Sequence, residues 1–323
     1  IDQGWRGKAQ NIFIVQGSSA DAKQGSGVGD NCFEHDGAEN SHYQPVTTGA
    51  IYNATVVGNP ADGDGATAWR DNCRMQYRNC IFMDCGEKVV RFDNKDGDGA
   101  QGYGYQGTLS WPATWTTSYT KTSTVNPPPS GIKNFVNYDV QSAGNLIEIT
   151  DSIYYYEDIT KIHSSAYTEA DARGVFAAKN NNLKHTASNT VKRPIQAITR
   201  GTPVQRGGKV VVPVAFIDPR PANDALSTTN IPKGDNFFTE ANYKGAFAPG
   251  NDWLAGWSAS YHYGFTPQVT ATDLGLATPG GNGDAVLAID TKAQGFATVQ
   301  IKLDNAAKSS SAILFFAAAR MDL

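Results

Sequence analysis

The sequence predicts an all-β chain: a parallel β-helix with long corner insertions, followed by a small C-terminal β-rich module. Three observations lead there. Short apolar segments recur behind an Asn or Asp. A second series of strand-like pieces, closed by Asp-Gly or Asp-Asn, alternates with them. The composition also favours strands and turns: 18% of the 323 residues are charged, 11% are aromatic, and Gly, Asn, Ser and Thr are plentiful.

The first series is Asn11–Gly17 (NIFIVQG), Asn53–Asn59 (NATVVGN), Asn79–Cys85 (NCIFMDC) and, with Asp for Asn, Asp151–Glu157 (DSIYYYE). The second is Phe33–Gly37, Ala68–Asn72 and Arg91–Asn94, whose closing residues tolerate positive φ. The leading Asn residues lie 42 and 26 positions apart, and Asp36, Asp71 and Asp93 lie 35 and 22 apart. Irregular spacing above a common floor is expected of stacked coils with loops of variable length at their corners. In such a stack an Asn at a fixed corner hydrogen-bonds along the axis while apolar residues fill the interior. An antiparallel sandwich also has short strands and turns, but does not require the two signals to alternate in order. The insertions 18–30 and 60–66 have the Gly, Asp, Ser and Ala content of corner loops.

Past residue 94 the pattern gives way to a Gly- and aromatic-rich excursion over 95–131. It resumes with Phe135–Val140, Leu146–Thr150 and Ile153–Tyr156. Thr168–Lys179 has the Thr cap, early acids and late Lys of a helix, weakened by Gly174. Lys209–Phe216 reads as a strand that Pro213 confines to an edge or a bulge. These features divide the chain into a β-helix over 1–193, its end and a connecting segment over 194–263, and a C-terminal module over 264–323. That module holds three further apolar runs, Ala285–Ile289, Phe296–Leu303 and Ala312–Ala318.

The formal charge of -4 argues against nucleic acid or an anionic membrane surface as partner. No apolar run approaches the roughly 20 residues needed to span a bilayer. The chain opens on Ile1-Asp2, as a processed or trimmed form would, and low Lys with four cysteines fits an extracytoplasmic protein.

Four segments carry a resemblance. DQGWRGKAQNIFIVQG (2–17), followed by IYNATVVG (51–58), and later NYKGAF (242–247) with WLAGW (253–257) resemble a largely uncharacterised family of secreted bacterial right-handed parallel β-helix proteins. The likeness covers residues 2–260. It implies the handedness of the helix and a secreted or cell-surface location, and it supplies no catalytic residues.

Candidate chemistry is sparse. Cys73, Cys80 and Cys85 lie in RDNCRMQYRNCIFMDC (70–85), with Cys32 upstream. They lack Cys-x2-Cys pairs and a nearby His, so they read as disulfide candidates or buried thiols rather than a zinc site. Cys80 aligns with Ile12, Ala54 and Ser152. Cys73 with Cys85, or Cys32 with Cys73, would staple neighbouring coils. No cofactor is required, but calcium is one reading of Asn94, Asp96 and Asp98, which match the first half of an EF-hand loop. Its twelfth position is Tyr105, not Glu, and the other reading is an Asp-Gly turn. Gly97–Gly102 satisfies GxGxxG without the helix a pyrophosphate needs.

Glu34 and Asp36 would share a strand face without His35. Asp36, Asp71 and Asp93 beside Arg70 and Arg91 form either a column of turns or, less economically, the acid-and-base cluster of a polysaccharide lyase. Tyr103, Tyr105, Trp111 and Trp115 are placed to contact a ligand or a partner. Ile313, Leu314, Phe315 and Phe316 would complete a module or add to a neighbour's sheet. No catalytic residue is assigned. The function expected is that of a non-enzymatic extracellular structural or surface protein that self-associates or meets a cell-surface partner. The alternative is a polysaccharide-binding or polysaccharide-degrading protein.

Overall fold

A computed structural model describes residues 1–2, 4–16, 30–37, 47–71, 73–92, 111–118, 143–158, 181–185, 191–206, 208–222 and 235–268. The chain divides into two compact units, Ile1–Asn251 and Asp252–Leu323. The strands are β1 (Arg6–Val15), β2 (Phe33–Asp36), β3 (Thr48–Val57), β4 (Thr67–Arg70), β5 (Arg74–Arg78), β6 (Ile81–Met83) and β7 (Val90–Phe92), then β8 (Glu148–Thr150), β9 (Ile153–Tyr155), β10 (Leu183–Lys184), β11 (Ile195–Arg200), β12 (Val204–Arg206), β13 (Lys209–Val211) and β14 (Val214–Pro221). Among the described residues two single-turn helices, α1 (Trp111–Thr114) and α2 (Ala259–His262), accompany them.

Seven strands form one parallel sheet. β3 pairs with β1 on one side and with β5 and β6 on the other; β5 continues to β8, and β6 to β9 and β10. At each junction one residue has a left-handed backbone: Asn11, Asn53, Asn79, Asp151 and Asn181, with φ between 53° and 60°. Asn and Asp are the non-glycine residues that reach this region most readily. Their consequence is a shift of parity. In β3, Ile51 points into the core before the bend, and Ala54 and Val56 do so after it; Tyr77 and then Cys80 and Phe82 repeat the step. Strict alternation therefore fails across each Asn, and an inward residue is followed by another three positions later.

Register confirms the alignment of the four apolar segments. Ile12 pairs with Ala54, the Asn79 amide donates to the Thr150 carbonyl at 3.4 Å, and the Cys80 amide donates to Ser152 Oγ at 3.1 Å. The second series also pairs in parallel, with a correction to its register: β2, β4 and β7 form a three-stranded sheet with His35 opposite Trp69 and Trp69 opposite Phe92, so Asp36 lies opposite Arg70 and Asp71 falls one residue outside the expected aspartate column. Between these sheets lies the core, in which Trp69, Tyr77, Phe82, Tyr154 and Tyr156 are fully buried. A Cβ on Gly49 would sit 2.0 Å from the Trp5 ring, so glycine there lets Trp5 cover the near end of the core.

The β-helix is nevertheless corrected. The described strands fall into several short sheets, parallel and antiparallel, rather than one continuing helix. Parallel strands of ten residues, β1 and β3, shrink to three in β8 and β9 and to two in β10. Beyond residue 194 the pairing is antiparallel: β11 with β14, and β12 with β13. Pro213 is the physical reason for part of this. It interrupts the strand expected over Lys209–Phe216, which becomes β13 and the start of β14, and its carbonyl accepts from Gly201 instead of extending a parallel ladder. The expected strand Phe135–Val140, the helix Thr168–Lys179 and the three C-terminal apolar runs lie outside the described residues.

Candidate functional site

One edge of the parallel sheet is its first strand. Every residue of β3 is buried, whereas every residue of β1 retains exposure, because among the described residues β1 pairs with β3 alone. Trp5 accepts through its carbonyl from the Thr48 amide at 2.9 Å, and the Gln16 amide donates to the Val57 carbonyl at 2.8 Å. Successive residues of a parallel strand address opposite neighbours. The main-chain groups of Arg6, Lys8 and Gln10 therefore face away from β3.

A strap over residues 235–247 crosses the outer face of the same sheet. Gln10 exchanges two hydrogen bonds with the Thr239 main chain, at 2.8 and 2.9 Å. Asn53 Nδ2 donates to the Tyr243 carbonyl at 2.9 Å, Gly245 donates to the Asn79 carbonyl at 2.7 Å, and Lys244 Nζ donates to the Asp151 carbonyl. The strap thus climbs the column of left-handed residues one strand at a time. Lys244 is 1% exposed, and burial pulls its ammonium down to about 8. Phe238 stacks on Tyr52 with centroids 3.7 Å apart, and Lys8 pairs with Asp235. This explains the NYKGAF segment: Gly245, at φ +83°, has no room for a Cβ beside Thr55 and Ile81.

A polar cavity of about 360 Å³ opens where the turns after β3 and β6 meet β13; Asp62, Asp64, Glu87 and Lys209 line it. Burial pushes the Asp64 carboxyl up, Lys209 offsets this, and the Asp30 and Glu87 carboxyls add to it. Lys209 and Arg91 approach Asp64 at 3.4 and 3.7 Å, and Asp62 accepts from the Val210 amide. These partners join the β12–β13 ribbon to the turn at residues 61–64. The same kind of tie is made by Arg200, which donates to Asp84 at 2.6 and 3.2 Å, to the Gly58 carbonyl at 3.0 Å and to the Val212 carbonyl at 3.2 Å.

The residues singled out from sequence fare as follows. Glu34 and Asp36 share a face and both pair with Arg70, while His35 points into the core. His35 Nδ1 lies 2.6 Å from the Ala68 carbonyl, which can only accept, so Nδ1 carries the proton and Nε2 accepts from the Tyr77 hydroxyl. Burial drives its pKa down to about 3. These three residues are a strand with one buried ring and two surface ion pairs, not an acid–base cluster. Asp71 takes a left-handed turn at φ 52°, and Asp93 lies outside the described residues.

Cys73 and Cys80 are buried in the core, and burial raises the Cys80 thiol to about 12. Cys32 and Cys85 are brought together, with their sulfurs 3.6 Å apart; neither pairing weighed from the sequence has this contact. Trp115 packs on Trp69 at 5.6 Å, so its ring serves the core, and the Trp111 backbone begins α1. Tyr103, Tyr105, Asn94, Asp96, Asp98 and Ile313, Leu314, Phe315 and Phe316 lie outside the described residues. Among the described residues no three His, Cys, Asp or Glu side chains are grouped to hold a metal, and no helix is long and apolar enough to cross a membrane.

Sequence reasoning missed the strap, the cavity and the Arg200 tie. Their residues are 116 to 229 positions from most of their partners, and nothing periodic links them. Comparison with protein-family models, characterised proteins and solved structures finds no match to this chain.

Proposed function

We propose that the chain is a non-enzymatic extracellular structural protein that self-associates through the outer edge of β1. The single observation that carries this is a ten-residue edge strand, paired on one side among the described residues, at the end of a wholly parallel sheet. A sheet edge is a template for another strand, and on this one the main chains of Lys8 and Gln10 face outward. A second copy is the occupant that fits, because β10 ends the same sheet with the same strand direction and both ends carry an Asn at the bend, Asn11 and Asn181. Such a contact is heterologous and propagates into a filament. Ion pairs and hydrogen bonds that tie segments together account for the charged side chains Arg200, Asp84, Arg78, Glu148 and Arg70.

The test is light scattering over a concentration series, with electron microscopy of the full chain. Lys8→Pro removes an outward amide and is expected to abolish assembly. Lys8→Ala loses the Asp235 pair but keeps the amide, and is expected to assemble. A wild-type chain that stays monomeric at high concentration sinks the reading.

One observation favours a second reading, a polysaccharide binder. In the unit Asp252–Leu323, Trp257 is 58% exposed and Tyr263 72% exposed, and flat aromatic faces of this kind stack on sugar rings. A glycan array probed with and without calcium tests it; absence of binding in both removes it.

A further inference from the structure

We propose that Cys32 and Cys85 are a disulfide-forming pair, oxidised by a low-molecular-weight disulfide, while Cys73 and Cys80 remain thiols. Cys32 lies just ahead of β2, where its amide donates to the Gly65 carbonyl at 3.0 Å. Cys85 follows β6, and its carbonyl accepts from the Tyr156 hydroxyl at 2.7 Å. The Asp84 amide beside it donates to the Tyr155 carbonyl at 2.9 Å, and Arg200 grips the Asp84 carboxylate. Both main chains are therefore held by partners that do not involve sulfur. The sulfurs sit in van der Waals contact at 3.6 Å, so bonding at about 2.05 Å asks only for small side-chain rotations.

The other two cysteines face different surroundings. Cys80 Sγ donates to the Arg78 carbonyl at 3.2 Å inside the core, and Cys73 is fully buried. Cys32 is half-buried, and Gly86 and Asp64, the chain neighbours of Cys85 and of Gly65, line the polar cavity. Cys32, partly exposed where Cys85 is fully buried, is the member of the pair that an oxidant meets.

Cys32 thiolate attacks one sulfur of the oxidant, whose S–S bond breaks and releases the first small thiolate. Cys85 then gives its proton to solvent and attacks Cys32 Sγ, expelling the second. The protein loses two electrons and two protons, and the oxidant gains them as two thiols. Contact with Cys85 and burial raise the Cys32 thiol, so the reaction quickens as pH rises.

The experiment treats the reduced, folded full chain with oxidised glutathione, then counts thiols after denaturation, weighs the intact protein and maps unreduced peptides. Two of the four thiols are expected to disappear, with a mass loss of about 2 Da and a cross-linked peptide carrying Cys32 and Cys85. Cys73→Ser should still form it. Cys85→Ser should form no internal disulfide and instead hold one glutathione on Cys32. Four surviving thiols in wild type, or a cross-link through Cys73 or Cys80, overturns the proposal. Circular dichroism of each variant establishes that the folded protein was tested.

Discussion

At pH 4 the protein is expected to be about 3 kcal/mol less stable than at pH 7.5 on account of one side chain, His35. Its imidazole is fully buried, and desolvation of the charged form lowers its pKa from 6.5 to about 3; the Ala68 carbonyl opposes this and the N-terminal amine adds to it. The folded pKa is depressed, so the ring stays neutral in the native state while the unfolded chain takes up a proton below pH 6.5. Stability from this group is complete above that pH. It falls by about 1.4 kcal/mol per pH unit until the folded pKa is reached. Urea unfolding followed by tryptophan fluorescence at half-unit pH steps gives the curve. The difference from His35→Gln, which cannot titrate, cancels the carboxylates common to both. Parallel curves for the two proteins, or a His35 titration near 6.5 by NMR, would refute the reasoning.

Three other outcomes are expected. Gly245→Ala forces a Cβ to within 2.5 Å of Thr55 Oγ1 at φ +83°, and should cost about 2 kcal/mol or more in denaturant unfolding; an unchanged midpoint shows that the strap does not need its glycine. Arg200→Met leaves the Asp84 carboxylate, 1% exposed, without its guanidinium and should cost about 3–5 kcal/mol. Adding Asp84→Asn, which keeps a residue tolerant of φ 54°, should recover much of that loss, and additive effects in the double-mutant cycle contradict the pairing. Oxidising the Cys32–Cys85 pair closes a loop with a sequence separation of 53 and should stabilise the fold by about 4 kcal/mol on the chain-entropy estimate. A melting temperature no higher than that of the reduced protein counts against it.

The parallel pairing was legible because it leaves a local mark. Asn or Asp before an apolar run stands for a left-handed bend, and aligning Asn11, Asn53, Asn79 and Asp151 predicts the register of four segments. His35 was legible in part: alternation separates it from Glu34 and Asp36, but its partner Tyr77 comes from the other sheet. The antiparallel ribbons misled the fold class, since short strands rich in Val look alike whichever way their neighbours run. The Cys32–Cys85 contact joins the entry of one sheet to the exit of another, a geometry that no spacing of cysteines encodes.

The left-handed column has one further effect, on how the chain tolerates insertion. Its bends are 42, 26, 72 and 30 residues apart, so no loop length could count out the register. A slip by one residue would place Ile12, Ala54 or Cys80 at a backbone angle costing about 1–2 kcal/mol each, and would turn every inward side chain outward. The bends thus act as proofreading marks read strand against strand. Segments between them are free to lengthen, shorten or diversify in evolution while the stack they interrupt stays in step.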